Sequence, residues 1–401
     1  MAASARPFGG RLAFPSLLIA RAVYAFNWYD VGPIQPGLAR VFSTPVGNLS
    51  FALWGFLFAV GLFQIPAGLL SLRTSPRTVS ILGALVMGVG ATLSAFVGNL
   101  WAFVALRFVV GIGAALFFSP AMALLTEYYE GERRGLAFGL FNGAFSAGAA
   151  LAVFTIPVLA AATSDELALL LGGLLMLAAA VESWWALPAT PRSEGAPADR
   201  PASEGSSVLR SPLLWVLAIS LLGFWSANFA VPQFFESYAV QARGYSLAQS
   251  GGLDAVFILT ALLGSPLGGY FASRTVHGRR LLALGALGVA LSIGALEFLP
   301  SWAFGIDAFF FGVLSGFLFA ALYLLPTRYR EFDRRTAALS LGLINGVQVL
   351  AGSFMVLAGG YFFFGTSDFF GLWVFFALVC AVPLGALAWA RRVEPQGQTF
   401  L

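Results

Sequence analysis

Long apolar stretches separated by short polar interruptions run the whole length of the chain. The apolar windows fall at about 13–38, 50–71, 79–98, 100–126, 136–160 and 167–187, then at about 212–234, 247–272, 281–299, 302–327, 337–364 and 369–390. A bilayer core of about 30 Å takes roughly 20 apolar residues per helix, and a helix satisfies its own backbone where no water is present. The pattern therefore predicts an all-α membrane protein with twelve transmembrane helices. Only a short turn is left near 98–101 and near 299–302.

Composition agrees. The chain is 59% hydrophobic and 10% charged, with mean hydropathy +0.85, against about 25% charged residues in soluble domains. The net charge of +4 carries no dense basic run, so nucleic acid is not an expected partner. Cysteine chemistry is also thin, because the single Cys380 makes neither an intrachain disulfide nor a metal cluster. The start, MAASARPFGGRLAF, reads as the approach to a retained span and not as a signal peptide.

Arginine places the ends. With the N-terminus set in the cytoplasm, Arg40 and Arg243 fall outside and Arg21 and Arg107 fall within spans, while the other 18 of 22 basic residues, all Arg, fall inside. That is the asymmetry of a multi-pass protein of the cytoplasmic membrane with both termini cytoplasmic.

One long polar stretch, PATPRSEGAPADRPASEGSSVLRSP, interrupts the series between the sixth and seventh windows. It predicts an N-terminal six-helix bundle over 1–187, a flexible linker over 188–211 and a C-terminal six-helix bundle over 212–401. The halves carry a weak internal repeat: TEYYEGERRGLAFGLFNG enters the fifth span and TRYREFDRRTAALSLGLING the eleventh. Gly135, Gly139, Gly143 and Ala147 recur every four residues, as do Ala338, Gly342 and Gly346. Such stripes admit close helix packing, and their matching positions suggest a sliding surface between halves.

On these features the sequence resembles the major facilitator superfamily over nearly its whole length. The loop GLLSLRTSPR (68–77) is similar to the family's G-x-x-x-D-R-x-G-R-[RK] element, keeping Gly68, Arg73 and Arg77 with Leu72 in place of the acid. Its counterpart GYFASRTVHGRR keeps Gly269 and Arg274 with Ser273 at the acidic position, and RFVVGIG supplies Arg107, Gly111 and Gly113. The resemblance implies alternating access by two rocking halves about a midplane site. It implies conformational gating by Gly68, Arg73, Arg77, Gly111, Gly113, Gly269 and Arg274. In the family the loop acid latches the cytoplasmic helix ends; with Leu72 and Ser273 there, an Arg73–Glu127 pair is the expected substitute. The family's antiporter motif, Gly-Pro followed by Gly-Gly in the fifth span, is absent from AGAALAVFTIP, where Pro157 lies well downstream.

Ionisable groups inside a membrane are functional candidates by default, each costing about 2.5–3.5 kcal/mol or more at mid-helix. Asp30, in FNWYDVGPIQPG, lies about seven residues from the outer end of the first span, and Arg107 about seven into the fourth, each roughly 10 Å deep. In the family fold both spans line the central cavity, so the two are expected to pair. Burial favours the neutral acid and an adjacent guanidinium favours the carboxylate. A solute taking Arg107 would tip that balance and link its own binding to a proton; a static structural ion pair is the alternative. Pro33 and Pro36 can break the helix just beyond. Asp254 and Asp307 are further proton-coupling candidates. Arg21, nearer the inner side, either binds solute or snorkels. Asn27, Trp28, Tyr29, Gln64, Asn142, Asn228, Asn345 and Gln348 complete the substrate-binding candidates, with helix-to-helix bonding as the alternative role for the amides.

A membrane enzyme lacks its parts here: there is one His, no HExxH, no G-x-S-x-G and no phosphate loop. No cofactor is expected. The predicted activity is secondary active transport of a small organic solute, with proton-coupled symport of an organic anion ahead of an efflux antiporter or exchanger, in a monomeric carrier. A receptor on a transporter fold is the alternative outside transport.

Overall fold

The computed structural model describes residues 12–188, 207–275, 277–328, 336–363 and 368–393. Most of the linker 188–211, both chain ends and the loop with Arg330, Arg334 and Arg335 lie outside the described residues. Every regular element among those described is helical. Among the described residues eleven helices are long and apolar enough to cross a membrane. The first, Ala13–Tyr29, has 17 residues, about 26 Å at 1.5 Å per residue. It reaches further only through a bend, a 3-10 turn at Gly32–Ile34 and a short helix at Gln35–Val41. Proline sets that break: Pro33 clashes with the carbonyl four residues back, that of Tyr29, where the helix stops.

The remaining spans of the first half are Ser50–Arg73, Pro76–Ser94, Leu100–Tyr128, Gly131–Ala162 and Asp165–Ala186. The seventh is Pro212–Ser220 joined through Leu221 to Leu222–Arg243, followed by Leu247–Arg274, Gly278–Ala295, Phe304–Leu324 and Ala337–Phe362. The twelfth is Phe369–Ala381, prolonged by a 3-10 turn into Ala386–Val393. Side-chain caps start several of them. Asn99 accepts from the Ala102 amide at 2.9 Å, and Ser246 and Gln249 form a reciprocal capping box. The tight turns near 98–101 and 299–302 are present, at 95–99 and 296–300.

Large apolar side chains cover the outside, Leu284 and Phe298 among them, as lipid contact requires. Trp101 and Trp302 stand exposed at one end of the bundle, with Trp184, Trp185, Trp215 and Trp389 at the other, Arg-rich end. Two aromatic belts result.

The halves meet through their glycines. A Cβ at Gly139 would sit 2.7 Å from Pro266 of the eighth span, and one at Gly346 would sit 2.9 Å from Gln64 of the second. Gly135 lies against Gly269, and Gly68 against Leu339. No side chain fits at these crossings, so the fifth span packs on the eighth and the second on the eleventh, tightest toward the Arg-rich end. Two polar contacts reinforce that end. Arg274 donates to both oxygens of Glu132 at 2.9 and 2.7 Å, and Arg134 donates to the Thr327 carbonyl at 3.2 Å.

Among the described residues the ion pair joining the halves is Glu132–Arg274, where the fifth and eighth spans touch directly. Arg73 and Glu127 stand at the ends of the second and fourth spans, so the expected pair between them would latch helix ends within the N-terminal half and not one half to the other. Arg77 turns instead to the Leu187 and Trp184 carbonyls, tying the third span to the sixth within one half. Gly111 and Gly113 also pack inside that half, against Phe56 and Met87.

Candidate functional site

Between the halves lies a cavity of about 80 Å³, room for about two or three waters at ~30 Å³ each. Arg21, Tyr24, Trp28 and Tyr29 reach it from the first span. The spacing 21, 24, 28 is one helical face, a signal that the sequence carries and that picks out Tyr24. Phe118 comes from the fourth span, and Asn142 and Phe145 from the fifth. The C-terminal half adds Trp225, Asn228, Phe229, Phe257, Ser265, Ser315, Phe319, Tyr323 and Asn345. The wall thus contains Arg21, Trp28, Tyr29, Asn142, Asn228 and Asn345 from the sequence candidates. Among the described residues it contains no carboxylate.

Arg21 is the cation of this wall. Only 6% of it is exposed. Its guanidinium lies over four rings, 4.6 Å from Tyr24, 4.5 Å from Phe118, 5.1 Å from Phe141 and 4.6 Å from Phe145. Nε and Nη1 find no protein hydrogen-bond partner. Snorkelling does not describe this side chain, which is held inward by aromatic faces. Ring quadrupoles replace only part of the hydration a buried charge gives up. Below it Tyr323 donates to Asn345 Oδ1 at 2.5 Å, and Asn142 donates to the Phe138 carbonyl at 3.0 Å.

Asp30 and Arg107 do come together, but off this cavity. Arg107 donates to Asp30 at 3.1 and 3.0 Å through its two terminal nitrogens, and to the Asn27 carbonyl at 2.8 Å. The pair is enclosed, at 0% and 3% exposure. Arg107 so fills two needs at the break after Tyr29: it neutralises Asp30 and takes a carbonyl orphaned by the helix end. The first and fourth spans do line the cavity, through Arg21 and Phe118; the ion pair lies elsewhere along them.

Two of the other amides, Asn27 and Gln64, serve helix contacts. Asn27 donates to the Val23 and Gly172 carbonyls at 2.9 and 3.0 Å, joining the first span to the sixth. Gln64 accepts from Ser119 at 2.5 Å, and Gln348 is fully buried with neither polar side-chain atom partnered. Asp254 and Asp307 share a separate pocket of about 20 Å³ with Phe235, Phe257 and Phe304. Ser292 donates to Asp307 at 2.7 Å. Phe257 lines both this pocket and the central one.

The chain belongs to the Major Facilitator Superfamily, whose model matches residues 17–275. It is 24% identical over 306 residues to membrane sensor protein UhpC of Salmonella typhimurium, covering 71% of this chain and 69% of that one. It is 26% identical over 368 residues to a probable nitrate/nitrite transporter of Mycobacterium tuberculosis, covering 86% of each. A probable sulfoacetate transporter, SauU of Cupriavidus necator, is 24% identical over 368 residues, at 85% and 84% coverage. Among solved structures, the fucose:proton symporter FucP of E. coli superimposes with TM-score 0.75 over 98% of this chain and 100% of that one, at 16% identity. The human organic anion transporter TETRAN gives 0.69 over 94% and 99%, at 15% identity. The protein is accordingly a multi-pass membrane protein with the major facilitator fold.

Proposed function

We propose that this protein is a secondary active transporter of a small anion, bound at Arg21 in the cavity between its halves. The carrying observation is a buried guanidinium on a wall without a carboxylate. Related chains include ones named for nitrate, nitrite and sulfoacetate, all anions, which supports the reading. The Arg-rich end is cytoplasmic, in keeping with the distribution of charge along the sequence. Import of a monoanion against an inside-negative potential costs about 2.3 kcal/mol per 100 mV, and one co-transported proton cancels that cost. Asp254 and Asp307, which line the neighbouring pocket beyond Phe257, are the proposed proton carriers.

The test is flux in liposomes containing a pH-sensitive dye. Arg21-dependent anion entry that acidifies the lumen, and that loses its proton component in Asp307→Asn, is the expected result. Entry unaffected by Arg21→Gln removes the proposed anchor, and entry without acidification removes the proton. A sensor is the second reading, favoured by the similarity to UhpC; it is chosen if anions bind and no flux follows.

A further inference from the structure

The cavity is polar at one level and aromatic at another. Toward the Arg-rich end its floor carries Arg21, Asn142 and the bonded pair Tyr323–Asn345. Toward the opposite end the wall is aromatic and bridges the halves. Trp28 of the first span stands edge-on to Trp225 and Phe229 of the seventh, with centroids 6.3 Å apart in each pair. Trp225 and Phe229 themselves stack at 5.5 Å and 6°. One cation below and rings above define the solute in two respects. A single guanidinium balances a single negative charge, since a second would be buried unpaired. A body of flat apolar surface replaces water on the aromatic faces, where aromatic pairs gain beyond their buried area. Asn228 Oδ1 and Ser315 Oγ, on the wall of the C-terminal half, have no protein partner, and a hydroxyl on the body would meet them.

Resting on the anion reading above, we infer that the solute is a ring-bearing monocarboxylate with a hydroxyl substituent, its carboxylate on Arg21 and its ring among Trp28, Trp225 and Phe229. Such a solute contacts both halves at once, through Arg21 on one and Trp225 on the other. Its binding therefore draws the aromatic end together. A sugar phosphate, with two charges, does not fit the single cation.

The experiment is titration calorimetry on the full chain in nanodiscs with 4-hydroxybenzoate, nitrate and glucose 6-phosphate, each alone and in competition. The expected order places 4-hydroxybenzoate first, with Trp225→Leu narrowing its advantage over nitrate by about five- to tenfold. Arg21→Lys, which keeps the charge, should weaken all anions together while preserving their order. Nitrate or glucose 6-phosphate binding more tightly than 4-hydroxybenzoate, still dependent on Arg21, overturns the monocarboxylate assignment and leaves the anion reading in place. Absence of binding by all three overturns both.

Discussion

The Asp30–Arg107 pair makes a sharp energetic prediction because it is so completely enclosed. Asp30→Ala removes two hydrogen bonds at 3.1 and 3.0 Å and leaves a guanidinium, 3% exposed, with only the Asn27 carbonyl. Breaking a buried pair from one side costs about 3–5 kcal/mol. The ratio of unfolded to folded protein should thus rise by about two to three and a half orders of magnitude. The double substitution Asp30→Leu with Arg107→Met removes both charges and keeps most of the volume, so most of the loss should return. A deficit of about 1–2 kcal/mol remains, because the Asn27 carbonyl loses its donor. Reversible unfolding in mixed micelles, followed by circular dichroism against the mole fraction of SDS, measures all of these. The reasoning is refuted if Asp30→Ala is within about 1 kcal/mol of the parent, or if the double variant is no more stable than the single ones. The first outcome would return Asp30 to the list of titrating, transport-coupled groups.

Further outcomes follow from the contacts between halves. Gly269→Val should prevent closure of the Arg-rich end, because the new side chain would run into the backbone of Gly135. Faster maleimide labelling of a Ser265→Cys variant from that side reports it, and an unchanged rate contradicts it. Glu132→Gln removes the exposed pair with Arg274 and should open the same end only slightly; the difference should vanish in high salt, so a large, salt-independent effect means that the pair has another task. Cross-linking the outer ends of the first and seventh spans should stop flux, and full flux in a completely cross-linked sample would exclude rocking of the halves. Arg21→Lys should retain measurable anion flux where Arg21→Gln has none; equal flux in both argues that charge at this position is irrelevant.

Much of this molecule is written in local pattern. Apolar windows, caps and prolines act through neighbours in the chain, so the spans and the break after Tyr29 are legible before any folding. The glycine stripes at 135–143 and 342–346 could be read as close-packing surfaces for the same reason. The depths of Asp30 and Arg107 follow from residue rise, and with the first and fourth spans set beside one cavity by the family resemblance, their meeting could be anticipated. The latch could not: Glu132 and Arg274 are 142 residues apart, and their approach depends on where the fifth and eighth spans cross.

The sequence alone determines how many helices cross, which end is rich in arginine and which polar groups must be buried. Only the tertiary structure decides which of those groups share a space. Depth along a helix is set by rise per residue, but direction around it depends on the neighbour it packs against. Arg21 and Arg107 are both buried arginines, and nothing local separates them. Packing turns Arg107 onto Asp30 and the frayed end of the first span, and turns Arg21 into an aromatic cavity without an acid.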